Sequence, residues 1–164
     1  MPRFLLADDH FKVRRHVRAA LERQQGWVVC AEASNGREAV AKTAENKPDI
    51  AVLDLSMPEL NGLEAAREIR ALFPETVVLI LTMYNVETIL HEARASGVRA
   101  CLTKCNLQSL VDEVRNVLHE NPQIANRGTK SVDGMIAQSD EQSKHLDAML
   151  PGANLAASSP LLAE

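Results

Sequence analysis

Five short apolar runs recur along the chain at even intervals, at residues 4–7, 27–31, 50–55, 77–82 and 100–103. Most are apolar without interruption. A strand with one face in water alternates apolar and polar residues, whereas an unbroken apolar strand needs cover on both faces. That is the condition of a parallel sheet packed between helices.

Helical patterns fill the intervals. Val13, Val17, Ala20 and Leu21 form one apolar stripe, stopped at Gly26, and Ala39, Val40, Thr43 and Ala44 form a weaker one, closed by Pro48. Leu63, Ala66, Ile69 and Phe73 form a third, closed by Pro74, and Val86, Ile89, Leu90 and Ala93 a fourth, ending at Gly97. The clearest is the fifth, Leu107, Leu110, Val111, Val114, Val117 and Leu118. Asn35 with Glu38 and Asn61 with Glu64 have capping-box spacing, and Asn106 can cap the last helix. Strand and helix thus alternate five times. The prediction is an α/β fold, a doubly wound five-stranded parallel sheet in the flavodoxin-like order 2-1-3-4-5 with helices on both faces.

The polar residues fall at the ends of these strands. Asp8 and Asp9 follow the first, Asp54 lies at the carboxyl end of the third, Thr82 closes the fourth, and Lys104 follows the fifth. In a doubly wound sheet the ligand crevice lies outside the carboxyl ends of the strands where the winding reverses, here between strands one and three. Three carboxylates meeting there repel one another, and a hard cation such as Mg²⁺ relieves the repulsion through oxygen ligands. Asp54 can act as a nucleophile, Lys104 can offer a mobile ammonium, and Thr82 a hydroxyl donor. Phosphoryl transfer needs little more, because positioning and electrostatics supply most of its catalysis. Singly, Asp8 and Asp9 read as acids at a helix start, Thr82 as a strand residue and Lys104 as a surface lysine. Their joint placement at four strand ends carries the functional reading.

Composition narrows the classes further. With 164 residues the chain holds one domain and an appendage, and a net charge of -4 gives no basic field for nucleic acid. The longest aliphatic run, 77–81, is far below the roughly 20 residues of a membrane span, and the apolar start before Asp8 is too short for a signal peptide. Cys30, Cys101 and Cys105 cannot all pair and show no CxxC spacing, which fits a reducing cytoplasm. Cys101 and Cys105 read as ordinary thiols rather than a disulfide sensor. His10, beside two acids, reads as a surface residue at a helix start, imidazole being a poor match for a hard Mg²⁺ site. No GxGxxG or P-loop pattern occurs. From Asn121 onward Pro, Gly, Ser, Asn and Ala dominate, so 1–120 is expected to be the folded domain and 121–164 a largely disordered tail with at most a short helix near 139–150.

Leu-Ala-Asp-Asp-His at 6–10, Val-Leu-Asp-Leu-Ser-Met-Pro at 52–58, Asn-Gly-Leu-Glu at 61–64, Leu-Thr-Met at 81–83 and Leu-Thr-Lys at 102–104 stand in order on these strand ends. Over residues 3–119 the chain resembles a response-regulator receiver domain of two-component signalling, most like those that precede a helix-turn-helix domain. The resemblance implies Asp54 as phosphoacceptor, Asp9 as a direct Mg²⁺ ligand, Asp8 close by and partly acting through water, and the Ser56 backbone carbonyl as a further metal ligand. It implies Thr82 and Lys104 as phosphoryl ligands and Pro58 and Gly62 as shapers of the loop after strand three. It also implies a sensor histidine kinase as phosphodonor, self-catalysed transfer and slow hydrolysis, a downstream protein partner, and a homodimer through the helix-four to helix-five face. The family usually carries Tyr or Phe three residues before its lysine. Here that position is Cys101, which is small, so coupling through Thr82 either uses another side chain, such as Tyr84, or is weak; Ser56 and Tyr84 also occupy positions that tune phosphoryl lifetime.

Two other functions compete. A transcription factor would need DNA contacts from the tail, yet 120–164 carries only Arg127, Lys130 and Lys144 against six acids, so direct DNA binding is not expected unless an output domain is lost, degenerate or truncated. A phosphatase of the haloacid dehalogenase type would need an Asp two residues after the nucleophile, where this chain has Ser56. The expected function is a phosphorylation switch that signals through protein contacts and is not an enzyme toward external substrates.

Overall fold

A computed structural model describes residues 1–126. The elements run β1 (Arg3–Ala7), α1 (Phe11–Glu22), β2 (Val28–Ala33), α2 (Gly36–Asn46), β3 (Ile50–Asp54), α3 (Gly62–Leu72), β4 (Val77–Thr82), α4 (Val86–Ala95), β5 (Ala100–Thr103), α5 (Leu107–Glu120) and α6 (Pro122–Asn126). The strands form one sheet in the order β2-β1-β3-β4-β5, every pair parallel. The doubly wound arrangement expected from the alternation is the one observed.

The unbroken apolar strands divide by residue parity between two cores. Leu5, Ala7, Ala51, Leu53, Val78 and Ile80 face α2, α3 and α4, meeting Ala39, Leu63, Ala66, Ile69 and Ala93. Phe4, Leu6, Ile50, Val52, Leu79 and Leu81 face α1 and α5, meeting Val17, Leu21, Leu110, Val114 and Val117. Successive residues of a strand point to opposite faces, so each run feeds both layers. β3, central and buried at all five positions, is the most constrained strand.

The helix ends explain where the loops begin. Asn61 accepts from the backbone N–H groups of Leu63 and Glu64, and Glu64 returns a bond to the Asn61 N–H, a complete capping box. At α2 only half of the expected box forms: Asn35 accepts from the Glu38 N–H, while Glu38 turns to the N–H and hydroxyl of Ser34. α2 ends on Lys47, whose φ of 46° is left-handed, one residue before Pro48. Asn61→Ala is expected to cost about 1 kcal/mol of stability, read as a lower denaturant midpoint with unchanged slope.

The folded body extends past residue 120. Pro122 suits the first helical position, where its missing N–H is no loss, and α6 turns Ile124 into the core beside α5. Sequence periodicity does not reveal this helix, because its five residues bury only Ile124 and leave no apolar repeat to read. The short helix expected near 139–150 lies outside the described residues. Among those described, no helix is long and apolar enough to cross a membrane.

Candidate functional site

Parallel strands share one direction, so every carboxyl end opens on the same edge of the sheet. β1 runs between β2 and β3, and beyond its end come Asp8 and Asp9. Asp54, the last residue of β3, pairs with Leu81 one position before the end of β4. Thr82 lies opposite Thr103, and Lys104 is the next residue.

Lys104 joins the acids. Its Nζ lies 2.6 Å from Asp8 Oδ2 and 3.0 Å from Asp54 Oδ1. Asp8 and Asp54 are each 5% exposed. Burying two carboxylates needs a partner, and one ammonium serves both. Burial pushes the Asp54 carboxyl above the usual range. The hydrogen bond and charge of Lys104 pull it down, the negative charge of Asp8 adds to the rise, and a backbone bond from Ser56 opposes it; burial prevails. For Lys104, burial acts downward, but the hydrogen bonds and charges of Asp8 and Asp54 outweigh it and raise its pKa. The two directions are compatible, because the lysine has two anionic partners and each acid has one cation.

Asp9 stands at the rim, more open than Asp8. Its Oδ1 lies 2.6 Å from His10 Nδ1, and the His10 backbone N–H donates to Asp8 Oδ1 at 2.8 Å. Ligand atoms of Asp8, Asp9 and His10 all fall within 4.8 Å of one another, and Asp54 joins them through Lys104. A cavity of about 620 Å³ opens over these groups, lined among others by Asp9, His10, Asp54, Ser56, Tyr84 and Lys104. Carboxylate oxygens from Asp8, Asp9 and Asp54 form a donor set that fits a hard divalent cation such as Mg²⁺.

The other predicted residues are distributed around this centre. Thr82 is fully buried, and its Oγ1 accepts the Tyr84 N–H at 3.1 Å. Tyr84 itself is exposed and lines the cavity, so it is not a core residue. Cys101 is half-buried against the core of the α2–α4 face, where burial raises its thiol pKa, and does not line the cavity. In the loop after β3, the Leu60 N–H donates to Pro58 O at 2.8 Å and the Gly62 N–H to Leu55 O at 2.9 Å. Glu59 between them takes a left-handed φ of 65°. A Cβ on Gly62 would lie 2.2 Å from the carbonyl oxygen of Asp54, so a residue without a side chain lets α3 start against the end of β3.

Arg14 was not singled out in the sequence. From α1 its Nη1 donates to the carbonyl oxygen of Asp8 at 2.6 Å, and its Nε reaches Glu32 of β2 at 3.3 Å. It therefore pins the backbone where β1 gives way to the acidic turn. One turn into a helix, it reads in sequence as a solvated cation; only its six-residue separation from Asp8 hints otherwise.

Comparison with known proteins identifies the family of this fold. The family model described as the response regulator receiver domain matches residues 4–115. The chemotaxis protein CheY of Thermotoga maritima is 34% identical over 114 residues, covering 70% of this chain and 94% of that protein. The oxygen regulatory protein NreC of Staphylococcus haemolyticus is 41% identical over 103 residues, covering 62% of this chain and 48% of that protein. This chain spans about half the length of the first curated relatives it matches. Among solved structures, a LuxR-family two-component response regulator from Aurantimonas superposes with a TM-score of 0.70 at 34% identity, over 77% of this chain and 94% of that one.

Proposed function

This chain belongs to the response regulator receiver domain family, and from that premise we propose that it accepts a phosphoryl group on Asp54 from the phosphohistidine of a sensor histidine kinase. Aspartyl phosphorylation and Mg²⁺ at an acidic site are general properties of this family. The observation that supports Asp54 is its position: a buried carboxylate ending the central strand, 3.0 Å from a buried ammonium and open to a cavity.

In the proposed step a carboxylate oxygen of Asp54 attacks phosphorus. The new O–P bond gives an acyl phosphate; the P–N bond breaks, and the imidazole leaves with the electron pair and takes a proton from water. Lys104 lies where it can pass from Asp54 Oδ1 to a phosphoryl oxygen without leaving Asp8. Asp8, Asp9, Asp54 and the Ser56 backbone carbonyl would hold Mg²⁺, which when bound neutralises charge on the phosphoryl oxygens. Thr82 would donate its hydroxyl once the segment carrying Met83 and Tyr84 shifts, since the side chain is now fully buried; its oxygen can accept the Tyr84 N–H at the same time. The domain acts on itself and turns over no external substrate.

Phosphorylation adds about two negative charges and biases an inactive–active equilibrium. α4 would be the moving part, because Ala93 is its one buried residue. Output would run through protein contacts on the α4-to-α5 face, including self-association, in the cytoplasm where a kinase donor acts. Ser56 and Tyr84, both on the cavity, would set the phosphoryl lifetime, and with Cys101 at the position of the usual ring the coupling would run through Tyr84.

The test is intact mass after incubation with acetyl phosphate and Mg²⁺. One phosphoryl group is expected, removed by hydroxylamine as an acyl phosphate is, and absent when a chelator is present. No added mass, or an adduct indifferent to the chelator, would overturn the reading.

A further inference from the structure

We propose that Arg14 of α1, anchored by Glu32 of β2, is a positioning residue for the phosphoryl site and acts through the backbone of Asp8. The inference rests on the receiver reading for the role of that site, and adds a pair of residues to which that reading assigns nothing.

The pair joins two elements on one face of the sheet. Glu32 pairs in register with Leu6, a residue of the α1–α5 face, so its side chain rises toward α1. Lys42 donates to the Glu32 carbonyl oxygen and ties the strand to α2 at this residue. Arg14 and Arg18 stand four apart on α1, and both meet the Glu32 carboxylate. Arg14 Nε lies 3.3 Å from Oε2, and Arg18 Nη1 lies 2.6 Å from Oε1. The Arg14 side chain is only 14% exposed, unlike a cation on a solvated helix face. With Nε held by Glu32, the planar fork directs Nη1 at the Asp8 carbonyl oxygen, 2.6 Å away.

That carbonyl belongs to the peptide joining Asp8 to Asp9. The Asp8 N–H donates to Ala33 of β2, so the sheet holds one side of Asp8 and Arg14 holds the other. The Asp8 carboxylate has its own tethers, Lys104 and the His10 N–H. Asp9 stands at the rim against the exposed His10 ring, so its direction follows from the peptide before it. Arg14 thereby sets where the second acid points. Behind the acids lies a narrow cavity of about 10 Å³, lined among others by Asp8, Arg14 and Asp54. It is about the size of one water, and removing the guanidinium would enlarge it beside both carboxylates.

Three variants separate positioning from folding. Arg14→Met keeps the apolar stem and removes the donors, Arg14→Lys restores the charge, and Glu32→Gln removes the anchor while leaving Arg14 in place. Mg²⁺ affinity is read by calorimetry on the full chain, labelling by acetyl phosphate at saturating Mg²⁺ is read separately, and a denaturant midpoint controls for folding. Arg14→Met is expected to weaken Mg²⁺ on the order of tenfold, and Glu32→Gln by about threefold. Arg14→Lys is expected to recover part of the loss, because an ammonium reaches the carbonyl without the fork that Glu32 orients. A lower midpoint with unchanged Mg²⁺ affinity of the folded Arg14→Met protein would overturn the proposal. If Arg14→Met does not fold, Glu32→Gln decides in its place, and an unchanged affinity there overturns it equally. Failure of the receiver reading gives a different result: the native protein binds Mg²⁺ but takes no phosphoryl group, while the effect of Arg14 on affinity persists.

Discussion

Asp54→Asn is expected to reduce phosphoryl incorporation from acetyl phosphate to background, a loss on the order of a hundredfold or more. The amide lacks the anionic oxygen that attacks phosphorus, and no neighbour replaces it well. Asp8 holds Lys104 at 2.6 Å and spends its other oxygen on the His10 N–H. Asp9 sits at the rim against His10. Neither stands at the end of the central strand facing the cavity. Intact mass of the variant beside the native protein reads the loss; incorporation at the native rate would show that another residue is the acceptor.

The same substitution bears on stability in the opposite sense. Burial raises the Asp54 pKa, so the folded protein holds that proton more tightly than the unfolded chain does. The stability from this group is complete below its unfolded value of about 3.9 and is lost as pH rises through the folded value. At pH 7 the ionised carboxylate opposes folding, and Asn removes the opposition while Lys104 keeps Asp8. The variant is expected to melt at or above the native temperature at pH 7, with the difference shrinking as pH falls toward 4. Thermal unfolding across that range checks it.

Much of this was legible because strand ends are punctuated in one dimension. Asp54 terminates an unbroken apolar run and Lys104 follows another, and parallel strands deliver such residues to one edge whatever the loops do. The order of the sheet then makes neighbours of Asp8 and Asp54. What could not be read depends on side chains reaching across elements. That one ammonium spans Asp8 and Asp54 at bonding distance is set by the register of β1, β3 and β5 together. Arg14 reaches the Asp8 carbonyl only because α1 folds back over β1, and Ile124 is a core residue only because α6 turns against α5. Tyr84 and Thr82 show the same limit. They are two residues apart, yet one ring is exposed at the cavity and the other side chain is sealed.

Gly62→Ala is expected to damage stability and site together, by on the order of 3 kcal/mol or more. Two effects compete. Alanine is the better helix former, worth up to about 1 kcal/mol in a helix interior. Against it, the new Cβ would lie 2.2 Å from the carbonyl oxygen of Asp54, 2.9 Å from its carbonyl carbon and 3.0 Å from Leu55 Cα. All three are backbone atoms, so no rotamer change relieves the clash. β3 is paired on both sides and buried throughout, and α3 is fixed at this end by the Asn61–Glu64 box. The strain therefore falls on the short loop that carries Asp54 into Ser56, which tilts the phosphoacceptor relative to Lys104. Denaturant unfolding should show a lower midpoint, and acetyl phosphate labelling of the fraction still folded should be slowed. A variant as stable as the native protein and labelled at the native rate would mean that the close approach of α3 to β3 is not what holds Asp54 in position.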